Sequence, residues 1–97
     1  MGYEMTARSD VKESVISYAI EKTLIEHSNS ALEEVYNKLY MDYGLNFMDC
    51  YHNPLYFRKA LLETFGDTYI QIIELIKKNL GELSTQQEIV SFFSKIK

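Results

Sequence analysis

The chain is short of several things at once. It has one cysteine, one proline, four glycines and no tryptophan in 97 residues. A single cysteine excludes an internal disulfide framework and any paired Cys-x-x-Cys site. The four glycines are isolated, so no glycine-rich phosphate loop exists, and no Asp-x-Asp-x-Asp calcium loop is present. No apolar run approaches the roughly 20 residues that a membrane helix needs. Residues 1–10, MGYEMTARSD, carry no signal-peptide pattern. A soluble, cytoplasmic protein is the expectation. Positive charge is also scarce: the net charge is −4. Residues 1–50 hold nine acids and four bases, and residues 51–97 hold five acids and six bases. Neither half can neutralise several phosphates, so no nucleic-acid partner is expected.

Hydrophobic residues at 46% and charged residues at 25% instead fit an ordinary globular chain. The length fits one domain over residues 1–97, enough to bury roughly 60–70% of the unfolded surface in a single core. Apolar positions recur at helical spacing and no strand alternation is visible.

Residues 1–9 read as a frayed lead-in. Asp10 with Glu13 makes a capping box, and a first helix follows from about Val11 to His27. Its apolar positions form two adjacent stripes, Val11, Val15, Tyr18, Ala19 and Ile25, then Ile16, Ile20 and Leu24. So wide an arc suits a central helix. Ser28-Asn29-Ser30 breaks it, and Ser30 with Glu33 starts a second helix carrying Leu32, Val35, Tyr36, Leu39, Tyr40 and Tyr43 inward. Gly44 is the expected left-handed stop. Asn46 to His52 is a short connection whose Phe47, Met48 and Tyr51 plug the end of the bundle. Asn53 caps a third helix that opens at Pro54 and closes at Gly66, with Phe57, Ala60, Leu61 and Thr64/Phe65 inward. Asp67 caps a fourth helix with a stripe of Tyr69, Ile72, Ile73, Ile76 and Leu80, ending at Gly81. Ser84 and Thr85 offer capping boxes with Gln87 and Glu88 for a helix over residues 84–97, whose apolar face is Ile89, Phe92, Phe93 and Ile96. The expected fold is all-α, a compact bundle of four main helices plus a short C-terminal helix.

Tyr43-Gly44-Leu45, Asn53-Pro54 with Phe57 three further on, Leu61, Phe65-Gly66 and the isoleucines after it form a pattern. It resembles the small archaeal family called Nitrososphaera output domain 5, across roughly residues 11–83 and most closely 36–76. In that family the domain stands alone or is fused to two-component signalling modules. The resemblance implies an α-helical signalling or sensory module with no established activity, and brings no catalytic residues.

Asp49-Cys50-Tyr51-His52 is the one cluster of metal-ligating or nucleophilic residue types. Zinc needs at least three converging ligands, and a Cys–His pair needs both side chains on one side. Cys50 and His52 are two apart and diverge on a helix. Cys50 therefore reads as a packed cysteine and His52 as a solvated histidine, with no metal, cofactor or catalysis expected. Tyr36, Tyr40 and Tyr43 lie one above another. The bland reading places their rings in the core with hydroxyls at its edge; the alternative is a cleft or interface. Phe92 and Phe93 point about 100° apart on a helix. One is expected on the protomer and the other in a two-fold homodimer contact. The functional expectation is a non-enzymatic regulatory or protein-interaction module acting through a helical surface or self-association. The alternative is a sensor holding a small apolar or aromatic ligand between the first three helices.

Overall fold

A computed structural model describes the backbone of residues 2–97 and the side chains from Val11 onward. Its helices are α1 (Gly2–His27), α2 (Asn29–Tyr43), α3 (Pro54–Phe65), α4 (Tyr69–Leu80) and α5 (Gln87–Ile96). Three 3-10 turns, Phe47–Tyr51, Gly66–Thr68 and Gly81–Thr85, join the last four. The described residues contain no strand, and the fold is an all-α bundle. No described helix is long and apolar enough to cross a membrane. The backbone of residues 2–9 continues α1, which corrects the frayed lead-in expected over residues 1–9 and the start expected near Val11; Asp10 lies within the helix and does not cap it.

The joints are tighter than the sequence suggests. One residue separates α1 from α2: Ser28 is extended, with φ −175° and ψ 155°, and its Oγ accepts the Ala31 N–H at 2.9 Å. It also donates its own N–H to Leu24 O, so it closes one helix and caps the next. The expected cap at Ser30 is therefore displaced to Ser28. Gly44 stops α2 in the left-handed region, φ 67° and ψ 26°. There its N–H reaches Tyr40 O, and the Leu45 N–H folds back to Leu39 O at 3.1 Å.

Asn53 corrects another expectation. Its side chain makes no N-cap bond to α3. The amide donates backward to Asp49 O at 2.9 Å instead, finishing the preceding 3-10 turn. Pro54 does open α3. The caps expected from Asp67, Ser84 and Thr85 are likewise absent from α4 and α5. Thr68, Ser84 and Thr85 donate their hydroxyls to carbonyls three residues back, at 2.7–2.8 Å. Such local bonds compete with forward capping. A full capping box lies at Asn46 and Asp49, where each side chain accepts the other's backbone N–H.

The core is a single cluster. Helix α1 contributes Ile16, Ala19, Ile20 and Leu24, and packs on α2, α4 and the Phe47–Tyr51 turn. Its other expected stripe is split: Ala19 is buried and Val15 packs against the core, whereas Val11, Tyr18 and Ile25 are exposed. Val35 and Leu39 come from α2; Phe57, Ala60 and Leu61 from α3. Helix α4 buries all five expected positions, Tyr69, Ile72, Ile73, Ile76 and Leu80. Phe47 plugs the end of the bundle, whereas Met48 is exposed. Thr23, buried in α1, donates to Ala19 O and accepts from Asn79 of α4 at 2.7 Å, so its hydroxyl is satisfied from both sides.

Helix α5 buries Ile89, Phe92, Phe93 and Ile96 together. Phe92 and Phe93 are only 3% and 2% exposed, which leaves neither ring for a second copy and corrects the expected division between protomer and dimer. The helix lies between α3 and the Gly81–Thr85 turn, so divergent rings find separate neighbours. Phe92 stacks between Tyr51 and Phe57, at 6.0 and 6.4 Å, while Phe93 lies under the Lys77 ammonium at 5.5 Å. Its far end is fastened to α4, where the Tyr69 hydroxyl donates to Lys97 O and Lys97 pairs with Glu74.

Two outcomes follow for stability. Phe93→Ala should cost about 3–5 kcal/mol in urea unfolding, with no change in oligomeric state by sedimentation. Gly66 and Gly81 sit at φ 60° with ψ −140° and −130°, a region closed to residues with a Cβ, whereas the Gly44 conformation is only disfavoured for them. A Cβ at any of the three meets no atom within 4 Å, so only backbone conformation is at stake. Gly66→Ala should therefore lower stability by more than Gly44→Ala, which should cost on the order of 1 kcal/mol. Urea midpoints for the two variants measure the order.

Candidate functional site

Two surface features gather the candidate side chains, and the first is on α2. The face of that helix turned to the core holds Ala31, Val35 and Leu39. Tyr36, Tyr40 and Tyr43 follow the same spacing about 100° further round. Tyr36 is 42% exposed and Tyr40 58% exposed, so the bland reading of core-filling rings is corrected. Their rings lie parallel, 4° apart in plane and 6.2 Å between centroids. Tyr36 leans on the buried Phe47 at 5.9 Å. Tyr43 is half-buried against Tyr56 of α3, at 4.6 Å. Met41 and Leu55 are exposed on the same two helices. Glu33, Glu34 and Asp42 accompany the tyrosines along α2, against one base, Lys38.

The second feature is a cleft of about 580 Å³ between the start of α3 and one face of α5. Tyr51, His52 and Pro54 form one wall. Gln87, Ser91 and Lys95, on successive turns of α5, form the other, with Phe92 beside them. The Tyr51 and Phe92 rings are 25° from parallel, and Phe92 continues the stack onto Phe57. The two walls are tied by neighbours on α1. The Lys12 ammonium meets Glu88 of α5 at 3.0 Å, and that bond holds the Glu88 carboxyl below its usual range. Glu13 pairs with His52 Nε2 on the opposite wall.

His52 is therefore not simply solvated, as its residue type and neighbours suggest. It is anchored to α1 across 39 positions of sequence. Its ring also meets Tyr51 edge-on at 5.1 Å. Neither Glu13 nor Lys12 is recognisable as part of a site from sequence, because the pairing is set by how α1 crosses the turn. Cys50 is fully buried in the core, its thiol directed at Asn46 O. Burial pushes the thiol pKa far up, and the Asp49 carboxylate pushes it further, so no thiolate forms at neutral pH. With His52 held by Glu13, no Cys–His pair exists. His27, in the last turn of α1, meets Phe65 edge-on at 5.3 Å. Among the described residues no three His, Cys, Asp or Glu side chains converge as metal ligands would.

The region between α1, α2 and α3, where a bound ligand is the alternative expectation, is filled by Ile16, Ile20, Val35, Leu39, Phe57 and Leu61, all fully buried. A shallow depression of about 220 Å³ at the α1–α2 surface borders Tyr36 and Phe47.

No family model matches the chain, and neither a curated protein nor a solved structure matches it.

The buried thiol sets a chemical test. Ellman's reagent at pH 8 should leave Cys50 unlabelled in the native chain and label it stoichiometrically in urea above the unfolding midpoint. Fast labelling of the native chain would mean that the Phe47–Tyr51 turn opens locally.

Proposed function

We propose that the chain is a non-enzymatic protein-interaction module whose contact face is the tyrosine-bearing side of α2 and the adjoining edge of α3. The observation that carries this reading is the parallel Tyr36–Tyr40 pair lying in solvent. Large amphipathic rings held rigid at a surface offer contact area at little entropic cost, and tyrosine and methionine are enriched where proteins meet. Tyr36 and Tyr40 reinforce each other, and Phe47 supports the first from below. Glu33, Glu34 and Asp42 give the surroundings an acidic character. The fitting partner presents arginines, whose guanidinium planes stack on tyrosine and pair with carboxylates.

A signalling role rests on the resemblance of the cap and core spacing to Nitrososphaera output domain 5, and the archaeal context rests on it as well. A homodimer through the tyrosine face is one form the interaction takes; the buried Phe92 and Phe93 give it no support.

The Tyr36→Ser/Tyr40→Ser double variant tests the reading. Both rings are largely outside the core, so its urea stability should stay within about 1 kcal/mol of wild type. Capture from a native lysate of the source organism should return a stoichiometric, salt-sensitive partner with wild type and lose it with the variant. An identical set of retained proteins for the two chains would discard this face as the contact surface.

A further inference from the structure

The cleft between α3 and α5 is separate from the tyrosine face and has its own chemistry. Its volume of about 580 Å³ lies within the range of small-molecule sites. Two of its lining groups already have partners on α1: Glu88 meets Lys12 and His52 meets Glu13. Lys95 has no ion-pair partner among the described residues. Gln87 and Ser91, about two turns and one turn before it on α5, are likewise without side-chain hydrogen bonds there. The wall therefore offers an amide, a hydroxyl and an ammonium in a row, ending in one unmatched positive charge. Opposite stands Tyr51, its ring backed by the Phe92–Phe57 stack.

These features select a ligand class. The aromatic stack favours a planar ring. One unmatched ammonium with neutral donors beside it favours a single negative charge. Glu88 lies seven residues before Lys95, roughly 10 Å along the helix, so a monoanion at Lys95 stays clear of its carboxylate. A more highly charged group would not gain a second cation, because His52 is committed to Glu13. We propose that this cleft binds a small planar aromatic carboxylate, its ring against Tyr51 and its carboxylate at Lys95, with Ser91 donating to the same group.

The test uses the full chain, ¹⁵N-labelled, titrated with naphthalene-2-carboxylate. Saturable shifts are expected at the amides of Tyr51, His52, Ser91 and Lys95, while the α2 amides of Tyr36 and Tyr40 stay in place. Naphthalene-2-carboxamide has the same shape without the charge and should bind at least about tenfold more weakly, as expected when a charge-assisted hydrogen bond is lost. Lys95→Met should weaken the carboxylate by a similar factor, and Lys95→Arg should restore most of it. Should Lys95→Met disturb the fold, the comparison of acid and amide on wild type still decides. No saturable shift up to about 10 mM, a binding energy near 2.7 kcal/mol, would overturn the proposal. Equal affinity for acid and amide, or shifts centred away from the cleft, would overturn it too.

Discussion

One ridge of α1 holds the bundle together. Ile16, Ile20 and Leu24 are completely buried, and the helix that bears them touches α2, α4 and the Phe47–Tyr51 turn. Each of those elements is too short to be stable alone in water, so each depends on the apolar area that the ridge removes from solvent. The 3-10 turn is the clearest case. It is five residues long, yet it brings Phe47 and Cys50 into the core and sets Tyr51 and His52 at the cleft. Its position is fixed from below by packing and from the side by the Glu13–His52 pair.

The helices that meet the core on one side were legible in the sequence. The α4 and α5 stripes match the buried positions residue for residue, because a one-sided helix leaves little choice of face. Helix α1 was harder. Its apolar residues spread over two stripes, and periodicity cannot say which one meets a neighbour; Val11, Tyr18 and Ile25 turned out to face solvent. The tyrosines of α2 failed for a related reason. Tyrosine satisfies an apolar pattern and also tolerates water, so Tyr36 and Tyr40 sit beside the true core row of Val35 and Leu39. Chain reversals at Gly44, Gly66 and Gly81 were legible because a positive φ is a local property. Caps were not: Asn53, Ser84 and Thr85 have acceptable partners in both directions, and the preceding carbonyl won.

The surface sites divide along the same line. Cys50 could be read as a packed residue from the scarcity of possible ligands. The cleft could not be read at all, because its walls come from residues 51–54 and 87–95 and its ties from residues 12 and 13. No local pattern joins those three segments. The tyrosine face lay between these extremes, since its residues were visible while their exposure was not.

Lys12 and Glu13 carry opposite charges on adjacent positions and reach opposite walls of the cleft. Exchanging the two letters would keep composition, net charge and length unchanged. It would nevertheless set a carboxylate before Glu88 and an ammonium before His52, replacing two attractions with one repulsion and one contact that repels whenever the imidazole is protonated. The opening of the cleft is thus written in the order of two neighbouring residues and not in their kinds. Two chains of identical amino-acid content could share this fold and differ in whether the cleft walls are held.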